Sequence, residues 1–210
     1  MAKVKICGIT NFEDANNAYL FGADIVGFIF IEESLRSVGV DIVKRIVSSL
    51  PVEMGKAGLF HDRPMEEVIR CVDMCGLNYV QLHGNESVKY CNLLRESLSK
   101  EIKIIKTFKI ERGKITGTLE NYTDIDYYLF DTLTPGLLGG TSQTFDWNIL
   151  KEKKFDKPFF VAGGLKPDNV SKAILTAHPF GVDVSSGVEA FVGKKNKVKM
   201  KEFIENAKKY

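Results

Sequence analysis

Short runs of apolar residues, some strictly alternating with polar ones, recur along the chain and are separated by longer stretches with helical spacing. The strand-like runs fall at 3–8, 24–30, 54–60, 79–83, 102–108, 127–131, 158–162 and 181–185. Helical patterns lie near 12–21, 40–50, 64–75, 86–99, 146–153, 167–177 and 197–208. Only 110–123 breaks the rhythm, because Gly113, Gly117 and Asn121 leave room for little more than one helical turn. Several helix starts carry their own signals. Thr10 or Asn11 caps the first, Pro64 precedes Glu66 and Glu67 at the third, and Pro167-Asp168 opens the sixth. Eight strand units at intervals of about 26 residues, undivided by any low-complexity linker, predict an α/β chain folded as a (β/α)8 TIM barrel, one domain over 1–210. A doubly wound sheet is the alternative, and the near-regular units with no segment left over favour closure.

In such a barrel the chemistry sits at the C-terminal ends of the strands. The first strand ends Lys5-Ile-Cys-Gly-Ile-Thr10, where alternation sends Lys5 and Cys7 inward and Val4 and Ile6 toward the helices. Cys7 has two readings: a small core filler, or a thiol whose ionised form the Lys5 ammonium favours. The strand at 127–131 brings Asp131 to the barrel mouth on the same face as Leu129. It is either a structural acid or a carboxyl group whose burial lets it donate a proton near neutrality. Gln81 and His83 share one face of the fourth strand, as ligand contacts or as hydrogen-bonded core polar groups. Arg36, in the loop after the second strand, is either solvated or suited by its fork geometry to a substrate carboxylate. Two later strands end in bare glycine-bearing turns, Ala162-Gly-Gly-Leu165 and Asp183-Val-Ser-Ser-Gly-Val188. Paired turns of this kind present free backbone amides to a phosphate. The glycine-rich segment 134–145 has the length and composition of a lid.

Composition narrows the classes. At 210 residues and 44% hydrophobic content the chain can bury a sizeable core, and 29 basic against 27 acidic residues create no global field for nucleic acid or an acidic membrane. The lysine-rich end, Lys194 to Lys209, reads as an amphipathic helix with a solvated face. The four cysteines fit a reducing compartment and follow neither a disulfide framework nor a zinc spacing, so no metal is expected. No signal region precedes Lys3 and no apolar run approaches ~20 residues, so a soluble, cytoplasmic protein without a membrane partner is expected.

Taken in order, Lys5-Ile-Cys-Gly-Ile-Thr10, Gln81-Leu-His-Gly84, Phe130-Asp-Thr132, Gly139-Gly-Thr141 with Phe145-Asp-Trp147, Ala162-Gly-Gly-Leu165 and Gly181-Val-Asp-Val-Ser-Ser-Gly-Val-Glu189 closely resemble the phosphoribosylanthranilate isomerase family of tryptophan biosynthesis. The resemblance runs over essentially the whole chain, and the ordered set is far more specific than any one motif. It implies a cofactor-free isomerase that opens the furanose of N-(5'-phosphoribosyl)anthranilate and carries out an Amadori rearrangement to the carboxyphenylamino-deoxyribulose phosphate. It implies Cys7 as the general base at C2′ and Asp131 as the general acid at the ring oxygen, on strands well round the barrel from each other. Arg36 would hold the anthranilate carboxylate. Gly163, Gly164, Ser185, Ser186 and Gly187 would grip the phosphate, with Gln81, His83 and Asp183 as further substrate contacts. The implied partner is a small phosphoribosyl molecule, and the oligomeric state a monomer or weak homodimer.

Two positions depart from the family. Leu35 replaces the proline usual before the loop arginine, which implies a looser loop, and Ser142 replaces the glycine after Gly-Gly-Thr. Rival readings fit less well. An indoleglycerol-phosphate synthase wants a catalytic lysine and an extra N-terminal helical segment. A ribulose-phosphate epimerase wants a metal site at several strand ends, and a ProFAR-type isomerase wants paired aspartates where Cys7 stands. A non-catalytic phosphosugar-binding barrel would need neither Cys7 nor Asp131. A thiol redox protein lacks its Cys-x-x-Cys.

Overall fold

The computed structural model describes residues 1–132 and 144–210. In chain order it runs β1 (Lys3–Ile6), α1 (Phe12–Leu20), β2 (Ile25–Ile29), α2 (Val40–Ser48), β3 (Gly55–Phe60), α3 (Met65–Cys75), β4 (Tyr79–Leu82), α4 (Val88–Ser97), β5 (Lys103–Glu111) and β6 (Lys114–Ile115). After a 3-10 turn at Leu119–Asn121 come β7 (Tyr127–Thr132), α5 (Asn148–Lys151), β8 (Phe159–Val161), α6 (Val170–Ala177) and β9 (Gly181–Val184). A second 3-10 turn, Ser186–Val188, leads to β10 (Glu189–Phe191), β11 (Lys194–Lys195) and α7 (Lys197–Lys208). Most of the expected lid segment, 134–143 of 134–145, lies outside the described residues.

The hydrogen-bonded order is β4-β3-β2-β1-β9-β8-β7-β5, and β4 also pairs with β5, so eight parallel strands close into the expected barrel. Its outer wall is the larger core, where Val4, Ile6, Val26, Phe28, Tyr128 and Phe130 pack under the helices. Its inside is filled at one level by Ile25, Ala57, Ile105, Leu129, Phe160 and Ala162. Asn11 caps α1 through Oδ1, which accepts the Asp14 amide at 3.0 Å. Among the described residues no helix is long and apolar enough to cross a membrane.

The expected irregularity between β5 and β7 is a hairpin and a 3-10 turn. Arg112 and Gly113 both take positive φ (47° and 78°), the two-residue geometry that matches strand twist, and pair Glu111 with Lys114. The missing helix is replaced by aromatic packing: Tyr122 and Tyr128 meet Phe108 edge-on at 5.3 and 5.5 Å. Two other differences are local. α5 is shorter than 146–153, and a hairpin not foreseen from periodicity, β10–β11, precedes α7.

One buried carboxylate ties the upper rim of β3, β4 and β5 together. Glu86 Oε1 accepts the amides of Asp62 (3.0 Å) and Gly84 (3.1 Å), and Oε2 accepts Lys106 Nζ at 2.9 Å. Both side chains are buried, so removing one charge strands the other. Glu86→Ala is expected to destabilise the fold by about 3–5 kcal/mol, read as a lower urea midpoint. An unchanged midpoint would show that water, not Glu86, satisfies the lysine.

Candidate active site

The C-terminal strand ends enclose a solvent-open cavity. Cys7, Arg36, Gln81, His83, Asp131, Asp183 and the two glycine turns all line it.

On β1 the alternation holds. Lys5 points inside and is fully buried, its Nζ 3.0 Å from Asp183 Oδ2, its register partner on β9. Cys7 stands next along the same face, 4% exposed, packed with Ile29, Ile31 and Leu59. Burial pushes the Cys7 thiol above its ordinary range; Lys5 and Lys195 oppose the shift, while the Asp183 carboxylate adds to it. This corrects the expectation that Lys5 tips the thiol toward thiolate. The paired Asp183 carboxylate offsets part of the ammonium's effect, and burial outweighs the rest. The other cysteines lie away from the cavity, with burial pushing Cys75 up to about 11 and Cys91 up to about 12.

On the facing wall, Asp131 is buried at the end of β7, with Lys109 Nζ 2.8 Å from Oδ2 and His83 Nε2 at 3.5 Å. His83 also contacts Lys109 through Nε2 and Thr107 Oγ1 through Nδ1, the latter at 3.2 Å. Burial first, then the Lys109 charge, holds the His83 imidazole well below its ordinary pKa, so the ring is neutral. Gln81 is buried beside it, and its Oε1 has no partner among the described residues.

The β8 and β9 turns form the third wall. Gly163 and Gly164 take φ of 81° and 64°, a left-handed pair that only glycine adopts without strain, and Asn169 Nδ2 holds the turn by donating to Gly164 O at 3.0 Å. Across from it a Cβ on Gly187 would fall 1.8 Å from the Leu165 carbonyl oxygen, so the two turns touch only because residue 187 is glycine. Among the described residues the amides of Gly164, Ser186 and Gly187 have no backbone acceptor, and Ser185 Oγ and Asp183 Oδ1 are buried without partners. Donors and acceptors left open around a cavity are what a bound polar ligand completes.

Arg36 reaches the cavity rim but is not free. Its Nε and Nη2 make a bidentate pair with Glu189 at 2.8 and 2.7 Å, and Glu189 also accepts Lys195 Nζ at 3.1 Å. Burial opposes ionisation of Glu189, yet the Arg36 and Lys195 contacts outweigh it and hold the carboxyl below its ordinary range. The loop is therefore anchored despite Leu35, which is 81% exposed and contributes no packing of its own. Arg36 keeps Nη1 and one Nη2 hydrogen for a ligand.

Lys109, Thr107, Glu189 and Lys195 are the site residues that pattern reasoning missed. For the first two a signal existed: Ile105, Thr107 and Lys109 alternate onto the inner face and turn polar toward the strand end. For Lys195 there was none, because its placement depends on the β10–β11 hairpin.

The sequence profile described as N-(5'-phosphoribosyl)anthranilate (PRA) isomerase matches residues 4–206. A curated relative of that name from Geobacter sp. (strain M21) is 42% identical over 209 residues, covering 100% of this chain and 99% of its own length. The solved phosphoribosyl anthranilate isomerase of Thermotoga maritima superposes with a TM-score of 0.88 at 38% identity, each chain covered 100%. Another solved isomerase, in complex with reduced 1-(o-carboxyphenylamino)-1-deoxyribulose 5-phosphate, superposes with a TM-score of 0.84 at 35% identity and 100% coverage of both chains.

The raised Cys7 thiol has a direct readout. Peptide-resolved alkylation of the ligand-free protein against pH is expected to show Cys7 reacting with a midpoint above the ordinary ~8.5 of a free thiol. A midpoint below that value would mean that Lys5 and Lys195 outweigh burial and Asp183.

Proposed function

The chain belongs to the N-(5'-phosphoribosyl)anthranilate isomerase family, and from that premise we propose that its cavity carries out the Amadori rearrangement of this substrate with Cys7 and Asp131 as the proton-transfer pair. In this reading 1–210 works as one barrel domain. The phosphate lies against the Gly163–Gly164 and Ser185–Gly187 turns, held by amides and the unpaired Ser185 hydroxyl. Asp131 in its protonated form gives a proton to the furanose oxygen as the C1′–O bond breaks, and the nitrogen lone pair forms the iminium. The thiolate of Cys7, a minor form given its raised pKa, then takes the C2′ proton, and the electrons of that bond neutralise the iminium to give the enolamine. The enolamine tautomerises to the ketone. The remaining N–H groups of Arg36 meet the anthranilate carboxylate at the opposite end.

The observation that carries this reading is the strand order. Between β1, which leads into Cys7, and β7, which bears Asp131, stand only β9 and β8, the two strands that end in the phosphate turns. As expected, β1 and β7 lie well round the barrel from each other, three steps apart in a ring of eight, with the two turn-bearing strands on the shorter arc. A phosphoester anchored there extends its ribose into the gap between the two groups, where each reaches a different side of the sugar. Positioning of this kind is itself a large part of a rate enhancement.

The substrate's anthranilate fluorescence makes turnover visible as loss of emission. Cys7→Ala and Asp131→Ala are each expected to lower kcat by about 10²–10⁴ while the product still binds within a few-fold of its original affinity. Unimpaired turnover in either variant removes that residue from the mechanism. Loss of product binding along with turnover would assign it to binding instead.

A further inference from the structure

We propose that Lys109 is a positioning residue for the general acid, its ammonium bridging His83 and Asp131 so that the imidazole is fixed in its Nδ1–H tautomer and the carboxylate in one orientation. The inference deepens the reading above and rests on Asp131 being the acid.

Lys109 owes its place to the irregular crossover after β5. The hairpin that replaces a helix after β5 prolongs that strand, and Thr116 grips the Lys109 carbonyl twice, its amide at 2.8 Å and its hydroxyl at 3.0 Å. In the resulting register Lys109 lies directly beside Asp131 on β7. Its ammonium donates to Asp131 Oδ2 at 2.8 Å, so the other oxygen turns toward the phosphate turn, 2.8 Å from where a Gly163 Cβ would stand.

The tautomer follows from donor counting. Among the described residues His83 Nε2 has two polar neighbours, the Lys109 ammonium and Asp131 Oδ2 at 3.5 Å. An ammonium only donates, so Nε2 accepts and the single ring proton of the neutral imidazole sits on Nδ1. There it faces Thr107 Oγ1 at 3.2 Å, nearer than Gln81 Nε2 at 3.5 Å. With Nε2 accepting, His83 presents no N–H to Asp131 and does not compete for its oxygen. Burial and the Lys109 charge, with smaller contributions from His61, Lys5 and Lys106, keep the ring from taking a second proton.

Two readouts test this, one of them independent of turnover. Nitrogen-15 shifts of His83 in the unaltered, ligand-free protein are expected to show the Nδ1–H form. In Lys109→Met the neighbour left to Nε2 is the Asp131 carboxylate, so the proton is expected to move to Nε2. In the fluorescence assay Lys109→Met is expected to lose about tenfold or more in kcat with KM within about twofold, and Lys109→Arg to recover most of it. An Nε2–H form in the unaltered protein overturns the proposal without any variant being needed. So does a Lys109→Met protein whose tautomer or kcat is unchanged. If the tautomer moves as expected while Asp131→Ala turns over normally, the assignment of Asp131 as the acid fails and the His83 geometry stands.

Discussion

A closed ring of strands has an interior that must be either packed or wetted, and here the change from one to the other occurs at the Lys5–Asp183 pair. Toward the strand N-termini the inside is filled by Ile25, Ala57, Ile105, Leu129 and Phe160. At the next level a fully buried ammonium meets a carboxylate at 3.0 Å, on neighbouring strands in direct register. Neither charge is tolerable there alone, because desolvation of an unpaired ion costs several kcal/mol. Paired, they form a polar floor on which a cavity can stand. Without them the apolar filling would continue toward Cys7, Ile29 and Leu59, and the cavity would lose Asp183 Oδ1, which has no partner among the described residues and stays open to a ligand.

The same rule of compensation runs round the rest of the cavity. Asp131 has Lys109, and Glu189 has both Arg36 and Lys195. Among the described residues, the cavity-lining side-chain atoms left without partners include Gln81 Oε1, Ser185 Oγ and Asp183 Oδ1, together with the amides of the glycine turns. Cys7 sits in the middle of these cancelling charges, and that is why burial decides the direction of its titration. A lone lysine beside a thiol reads as activation, whereas a lysine already bound to a carboxylate does not.

This difference marks how far the linear chain can be read. Strand faces follow from period-two alternation, so the inward course of Lys5, Cys7, Gln81, His83, Asp131 and Asp183 was legible, as was the ring that brings them together. The glycine turns were legible because a positive φ leaves its trace in residue type. The pairing of charges was not. Glu189 lies 153 positions from Arg36, and Asp183 lies 178 from Lys5; no local period encodes those distances. Lys109 was hidden for a different reason: the strand at 102–108 runs on to Glu111, and that extension depends on the Arg112–Gly113 turn, a two-residue conformation whose arginine does not advertise it.

The charge balance also bears on how a substrate with two anionic groups, a phosphate and a carboxylate, is held in the proposed reading. Lys5 with Asp183 and Lys109 with Asp131 each cancel, while two cations around Glu189 leave one positive charge on the Arg36 side. That single charge suits one carboxylate. At the proposed phosphate end amide dipoles converge from two strand ends, and Lys195 stands behind them, its Nζ donating to the Ser185 carbonyl at 3.1 Å. Such dipoles are fixed by the backbone and need no reorganisation when the ligand arrives. In the proposed reading recognition is divided between the Arg36 guanidinium at the aromatic end and these oriented amides, backed by Lys195, at the phosphate end. The division keeps both anchors away from the gap between Cys7 and Asp131. A proton can then be given up on one side of the sugar and taken on the other without the reacting atoms being drawn toward either anchor.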